Sequence, residues 1–363
     1  MSSSAAPRLH LTGDVVDLTA ALCDIPSVSR DEGAIADAVE GALRALPHLT
    51  VTRHGHTIVA RTDLGRAERV VLAGHLDTVP LTDPPNLPTR RIDLDGVDTL
   101  WGRGTVDMKG GVAVQLKVAA LVPEPTRDLT FLFYEAEEID SRYNGLNLLS
   151  ASHPEELEAD FAVLLEPTNA TVEGGCKGTV RVDIPVKGIA AHSARPWNGH
   201  NAIHDAADIL DRLREHHEAT VHVDGLDYHE AMQAVGITGG IAGNVIPDRC
   251  IVTVNYRFAP DKTGEEALAY VRSVLPGYDF TVTDLAEGAR PGLHLPAAQD
   301  FVAALDVPVG PKEGWTDVAR FSSLGIPAVN FGPGDPNLAH QDEERCPVHQ
   351  LRDAQAALLR WLA

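Results

Sequence analysis

Two rhythms of apolar and polar positions divide this chain. At helical spacing, residues 14–23 align Val15, Leu18 and Leu22, and residues 31–46 align Ile35, Val39, Ala42 and Leu46. Pro26 and Ser27-Val-Ser29 separate the two predicted helices. Short strands are expected at 49–53 and 57–61, followed by the apolar run Arg69-Val-Val-Leu72, which ends at Gly74. Residues 80–98, with Pro, Gly and many polar groups, read as a loop. A glycine-rich turn at 101–111 precedes a helix at 112–122, and strands follow at 128–134 and 161–165. Strands alternating with helices predict an α/β layer with a largely parallel sheet.

After Gly178 the rhythm changes. Residues 180–186 alternate as a half-exposed strand does, and an amphipathic helix is expected over 201–217 with Ile203, Ala206, Ile209 and Leu213 on one face. Strands at 232–238 and 250–258 follow. Thr263-Gly-Glu-Glu266 fits a capping box at the head of a helix ending near Leu275, and a last strand is expected at 278–283. This stretch reads as a separate α+β sandwich. The first pattern then resumes with a helix at 297–305, a strand at 327–331 and a helix at 348–362. The division is therefore 1–178 plus 289–363 for one domain, with 179–288 inserted into it.

Bulk composition narrows the functional classes. A chain of 363 residues exceeds one ordinary core. Its formal charge of −22 argues against nucleic acid or an anionic membrane as partner. Cys23, Cys176, Cys250 and Cys346 are far apart, which points to reduced, buried thiols. With no signal-peptide pattern and no long apolar run, a cytoplasmic protein is expected.

Candidate chemistry gathers at the strand ends. His75 and Asp77 follow one strand, and their spacing places both on one face of an extended backbone. Alone, the pair is a polar strand end with a hydrogen-bonded histidine. Asp107 lies in the glycine-rich turn, Glu137 and Glu138 follow the strand at 128–134, Glu166 follows that at 161–165, and His340 follows that at 327–331. Sites in open α/β sheets form beyond the C-terminal ends of strands. Five segments would deliver His, Asp, Glu, Glu and His to one edge. Two divalent ions need a bridging carboxylate and terminal His or carboxylate ligands. Mixed N/O ligands with open positions suit catalytic zinc. Of the adjacent Glu137 and Glu138, one could bind metal while the other serves as general base. A water beside such an ion has its pKa lowered towards neutrality.

Gly74-His-Leu-Asp-Thr-Val-Pro80, Gly102-Arg-Gly-Thr-Val-Asp-Met-Lys-Gly110, Glu137-Glu138, Leu165-Glu-Pro167, Ala191-His-Ser-Ala-Arg-Pro196 and His340 occur in that order. Together they resemble the M20 family of dizinc amidohydrolases and peptidases. The resemblance implies a zinc-peptidase-like three-layer α/β catalytic domain with an inserted α+β sandwich used for dimerisation. It implies two Zn2+, with Co2+ or Mn2+ as alternatives in one site. His75 and Glu166 would hold one ion, Glu138 and His340 the other, and Asp107 would bridge them. Asp77 would hold His75, Glu137 would be the general base, and the Asp107–Met108 peptide would be cis. His192 would reach the partner subunit's active site in a homodimer and stabilise the oxyanion. Lys177, Asn244, Arg257, Gly314 and Thr316 would contact substrate, with Arg257 as a carboxylate clamp.

The expected substrate is a small N-acyl amino acid. Residues 173–178, 195–199 and 332–340 resemble most the actinobacterial branch that hydrolyses N-succinyl-LL-2,6-diaminopimelate. The residues before His340, Gly334-Asp-Pro-Asn-Leu-Ala339, depart from the Asn-Ala-Thr-Ile of proteobacterial members, so Asn337 is expected to supply the substrate-binding amide. An acetylornithine deacetylase, a dipeptidase or carboxypeptidase, and a non-catalytic metal-binding relative are the alternatives.

Overall fold

The structure, a computed structural model, describes residues 8–363. It divides into two compact units. One runs to Gly174 and takes in Gly292–Gly310 and Arg320–Ala363. The other comprises Gly175–Pro291 and Pro311–Ala319, so Gly314 and Thr316 group with the inserted segment.

The first unit is built on an eight-stranded mixed sheet. Its centre is parallel: Asp128–Tyr134, Arg69–His75, Phe161–Leu164 and Ala328–Asn330 lie side by side in that order. Thr50–His54 and Thr57–Arg61 extend one edge antiparallel. Every residue of Asp128–Tyr134 is buried, as expected of a strand covered on both faces. Leu129, Phe131 and Phe133 join the core formed with helices Val15–Cys23, Lys109–Leu121, Pro296–Leu305 and Val348–Leu362. Each large side chain fully buried there contributes about 1.5–3 kcal/mol.

The expected loop at 80–98 is a correction. Arg90–Leu94 and Val97–Trp101 form a hairpin around Asp95-Gly96, both at positive φ. That dipeptide is a strong signal for a tight hairpin turn. The first strand is almost wholly exposed, so no apolar alternation marked it. Arg345–Pro347 adds a third strand alongside Val97–Trp101. The small sheet thus pairs the chain entering the glycine-rich turn with the chain leaving the His340 loop. The following helix begins at Lys109 rather than at 112.

The inserted unit carries a five-stranded antiparallel sheet, ordered Ala219–Val223, Leu226–Gly239, Arg249–Phe258, Gly178–Lys187 and Thr281–Ala286. Helices Ala202–Glu215 and Gly264–Val274 share its core through Ala206, Ile209 and Val271. The capping box at Thr263 and Glu266 is formed in both directions. The strand at Ala219–Val223 was not anticipated; it turns back at Asp224-Gly225, again at positive φ. All four cysteines are buried and unpaired.

A candidate metal centre

The carboxylates and imidazoles of the first unit converge where its parallel strands end. His75 is the last residue of its strand and is buried. Its Nδ1 lies 3.0 Å from the Asp77 carbonyl oxygen. A carbonyl only accepts, so Nδ1 carries the proton and Nε2 is the nitrogen left for a ligand. That Nε2 lies 3.0 Å from Asp107 Oδ1. His340 Nε2 lies 3.3 Å from Asp107 Oδ2 and 2.9 Å from Glu138 Oε2. Each oxygen of Asp107 therefore faces a different histidine, which is the arrangement of a bridging carboxylate.

Two triads result. One ligand atom each from His75, Asp107 and Glu166 lie within 4.8 Å of one another, and so do those of Asp107, Glu138 and His340. Glu138 Oε1 is buried without a hydrogen-bond partner. An orphaned carboxylate oxygen beside two triads that share Asp107 fits a pair of divalent cations.

The charge balance fits as well. Burial opposes protonation of His75, but hydrogen bonds to Asp107 and Asp77 raise its pKa well above the ordinary value. Hydrogen bonds to Asp107 and Glu138 push the His340 imidazole up to about 10. Burial raises the Glu138 carboxyl against the pull of His340, with the Asp107 charge adding to the rise. Asp107 itself is drawn far below the carboxylate range, since its bonds to His340 and His75 outweigh burial. The cluster holds protons where a cation would replace them.

Asp77, fully buried, lies in neither triad. Its Oδ1 accepts from Glu137 N at 3.0 Å, and its Oδ2 from Glu138 N at 3.2 Å and from Ser29 Oγ at 2.7 Å. It orients His75 and anchors the loop carrying Glu137. The peptide between Asp107 and Met108 is cis. Glu344 was missed in the sequence. Its Oε1 accepts from Val106 N at 2.9 Å and Asp107 N at 3.1 Å, and its Oε2 pairs with Arg103 at 2.9 Å. The available signal was an acidic residue four positions after His340, but such residues are common.

The remaining candidates are less uniform. Asn337 is exposed, and its amide donates to Asp335 Oδ1 at 2.9 Å. In the inserted unit, His192 and Asn244 are neighbours: His192 pairs with Val245, and Ser193 N donates to the Asn244 carbonyl. Ala194 N donates to His192 Nδ1 at 3.0 Å, which leaves the neutral ring an Nε2–H donor on an exposed side chain. Arg257 is half-buried and forms no ion pair among the described residues; burial lowers its pKa, with Arg181 nearby adding to the effect. Lys177 is occupied, with Nζ 2.6 Å from Glu313 Oε2 and from the His229 carbonyl. Thr316 is buried and Gly314 exposed.

A family model described as peptidase family M20/M25/M40 matches residues 71–363. A Mycobacterium tuberculosis protein provisionally named succinyl-diaminopimelate desuccinylase DapE is 52% identical over 98% of this chain and 99% of its own length. The succinyl-diaminopimelate desuccinylase of Corynebacterium glutamicum is 44% identical, covering 100% of both chains. Among solved structures, Bacillus subtilis YXEP, described as a dinuclear metal-binding peptidase of the M20 family, superposes with a TM-score of 0.69 at 17% identity, covering 96% of each chain.

Proposed function

The chain belongs to peptidase family M20/M25/M40, and from that premise we propose that it hydrolyses N-succinyl-LL-2,6-diaminopimelate to succinate and LL-2,6-diaminopimelate. The observation that carries the chemistry is the pair of ligand triads sharing Asp107. The choice of substrate rests on relatives of that name that match this chain from end to end.

His75 and Glu166 would hold one divalent ion, Glu138 and His340 the other, with Asp107 between them. Zinc suits this donor set, with cobalt or manganese as alternatives in one position. Ions so held polarise a carbonyl and lower the pKa of water. The protein's own groups do the rest. Glu137 removes a proton from the attacking water, whose oxygen bonds to the succinyl carbonyl carbon. As the C–N bond breaks, Glu137 returns that proton to the leaving amine. Asp77 keeps His75 in the tautomer that presents Nε2. Arg257, with no carboxylate partner in its own unit, is the natural clamp for a substrate carboxylate.

The working form in this reading is a cytoplasmic homodimer in which His192 donates to the oxyanion in the partner's site. Its exposed Nε2–H supports that role. The dimer surface would lie along the strand Leu226–Gly239. Ala219–Val223 covers only Leu226 to Glu230 of that strand, and Val235 and Ile237 are 58% and 52% exposed. No helix among the described residues is long and apolar enough to cross a membrane.

Purified, metal-loaded protein assayed on succinyl-diaminopimelate, acetylornithine and dipeptides tests the reading. Preferred turnover of the succinylated substrate is expected. Brisk turnover of another substrate with none of this one would overturn it.

A further inference from the structure

We infer that Glu32 is a positioning residue for the loop that carries the general base, a role that rests on the assignment of Glu137 above. Glu32 is fully buried. It stands at the N-cap of the helix Gly33–Arg44 yet makes no side-chain cap to it. Its Oε1 instead accepts from Arg30 N at 2.8 Å and from Ala136 N at 3.1 Å. Both residues are left-handed, with φ of 77° and 57°. Side chains with a Cβ disfavour that region, so each needs an external hold. One carboxylate oxygen supplies it to both.

Ala136 is where the chain turns out of the buried strand Asp128–Tyr134 towards Glu137 and Glu138. Three successive loop N–H groups end on carboxylates from elsewhere in the unit: Ala136 on Glu32, and Glu137 and Glu138 on Asp77. Asp77 also holds His75, so disturbing it disturbs a ligand and the base together. The Oε1 bonds of Glu32 reach Arg30 and Ala136, neither of them a ligand. Glu32 therefore acts at the start of the loop, one residue before the base, while Glu138 has two holds of its own, its N–H on Asp77 and its carboxylate on His340.

The same corner gathers ligand atoms of Glu32, His56 and Glu135 within 4.8 Å, which raises the question of a third metal. Arg53 Nη2 lies 3.2 Å from His56 Nδ1. A guanidinium only donates, so Nδ1 accepts and the neutral ring's proton sits on Nε2. No ring lone pair remains for a cation. The positioning role needs only an acceptor at Oε1, while Oε2 is buried without a partner. A glutamine can meet that need.

The test compares E32A, E32D and E32Q with wild type in kcat, KM and bound metal, with E137Q alongside. E32A removes the acceptor and E32D draws it back by one methylene. For both, kcat is expected to fall about 10–100-fold, the scale of a displaced catalytic group. KM should stay within about 3-fold and metal content at the wild-type level. E32Q is expected within about 3-fold of wild-type kcat. A purely structural role would move KM or metal binding as well and would give no such rescue. Wild-type kcat in E32D, loss in E32Q equal to that in E32D, or loss of metal alongside rate would each overturn the proposal. Should E32A fail to fold, E32D and E32Q decide. Full activity in E137Q would show that the base assignment is wrong, and the Glu32 role falls with it. An inactive E137Q beside a fully active E32D overturns the Glu32 role alone.

Discussion

The ligand cluster of the first unit and the candidate substrate residues of the inserted unit are held by opposite means. His75, Glu138 and Glu166 leave the ends of buried parallel strands or the loops just after them, and the N–H groups of Glu138 and Asp107 end on the buried carboxylates of Asp77 and Glu344. His192, Asn244 and Arg257 sit on antiparallel strands or short connections, with one face of the sheet open. Metal chemistry tolerates little displacement, so its ligands are over-determined. Substrate recognition uses a few charged groups whose partners arrive with the ligand. Arg257, half-buried and without an ion pair among the described residues, is the candidate for such a group, whereas the Glu138 N–H is already fixed on Asp77.

Breaking the ligand cluster should have the largest effect. Dialysis against a chelator is expected to abolish hydrolysis, with recovery on adding zinc, cobalt or manganese; metal content and rate are followed together. Uptake should also expel protons near neutral pH, because the carboxylates raise the pKa of both His75 and His340 in the metal-free chain. Affinity should therefore rise with pH, and titration calorimetry in buffers of different ionisation enthalpy measures the release.

E137Q comes next. It keeps the shape of the loop but removes the base, so kcat should fall by about 10²–10⁴ while metal content is unchanged. Retained rate would return the base to another group.

R257A sharpens the other side of the comparison. Loss of a charge-assisted clamp is expected to raise KM for the succinylated substrate by about 10–100-fold with bound metal unaffected. An unchanged KM would remove Arg257 from the substrate site.

V235D with I237D should have the smallest direct chemical effect. The pair puts charge on the exposed strand and is expected to shift the protein from dimer to monomer in light scattering. If His192 acts in trans, the rate falls with the dimer fraction and recovers at high protein concentration. A monomeric, fully active variant would place oxyanion donation within one chain.

Much of the fold was legible because burial leaves a periodic trace. The continuous apolar runs of the parallel strands and the spaced stripes of the helices marked the central sheet and its cover. The hairpin Arg90–Trp101 left no such trace, since its first strand is solvated; only Asp95-Gly96 announced it. That hairpin matters for the site. It leads into the turn bearing Asp107 and pairs with Arg345–Pro347, which follows His340. Lys177 shows the converse limit. Its turn could be located in the sequence, but its salt bridge to Glu313, far away in the chain, could not.

By itself, the sequence determined the residue types and their order: strand ends closing in His, Asp and Glu, and motifs specific enough to identify a family. Those depend on local spacing and side-chain chemistry, which a linear chain carries in full. Tertiary structure alone decided which oxygen of Asp107 faces which histidine, and that Nε2 of His75 is the nitrogen turned towards Asp107. It also decided that Glu32 and Glu344 spend buried carboxylates on distant backbone N–H groups. The bonds from Ala136 to Glu32 and from Asp107 to Glu344 span 104 and 237 residues, and no periodicity in a sequence encodes the partner of a hydrogen bond.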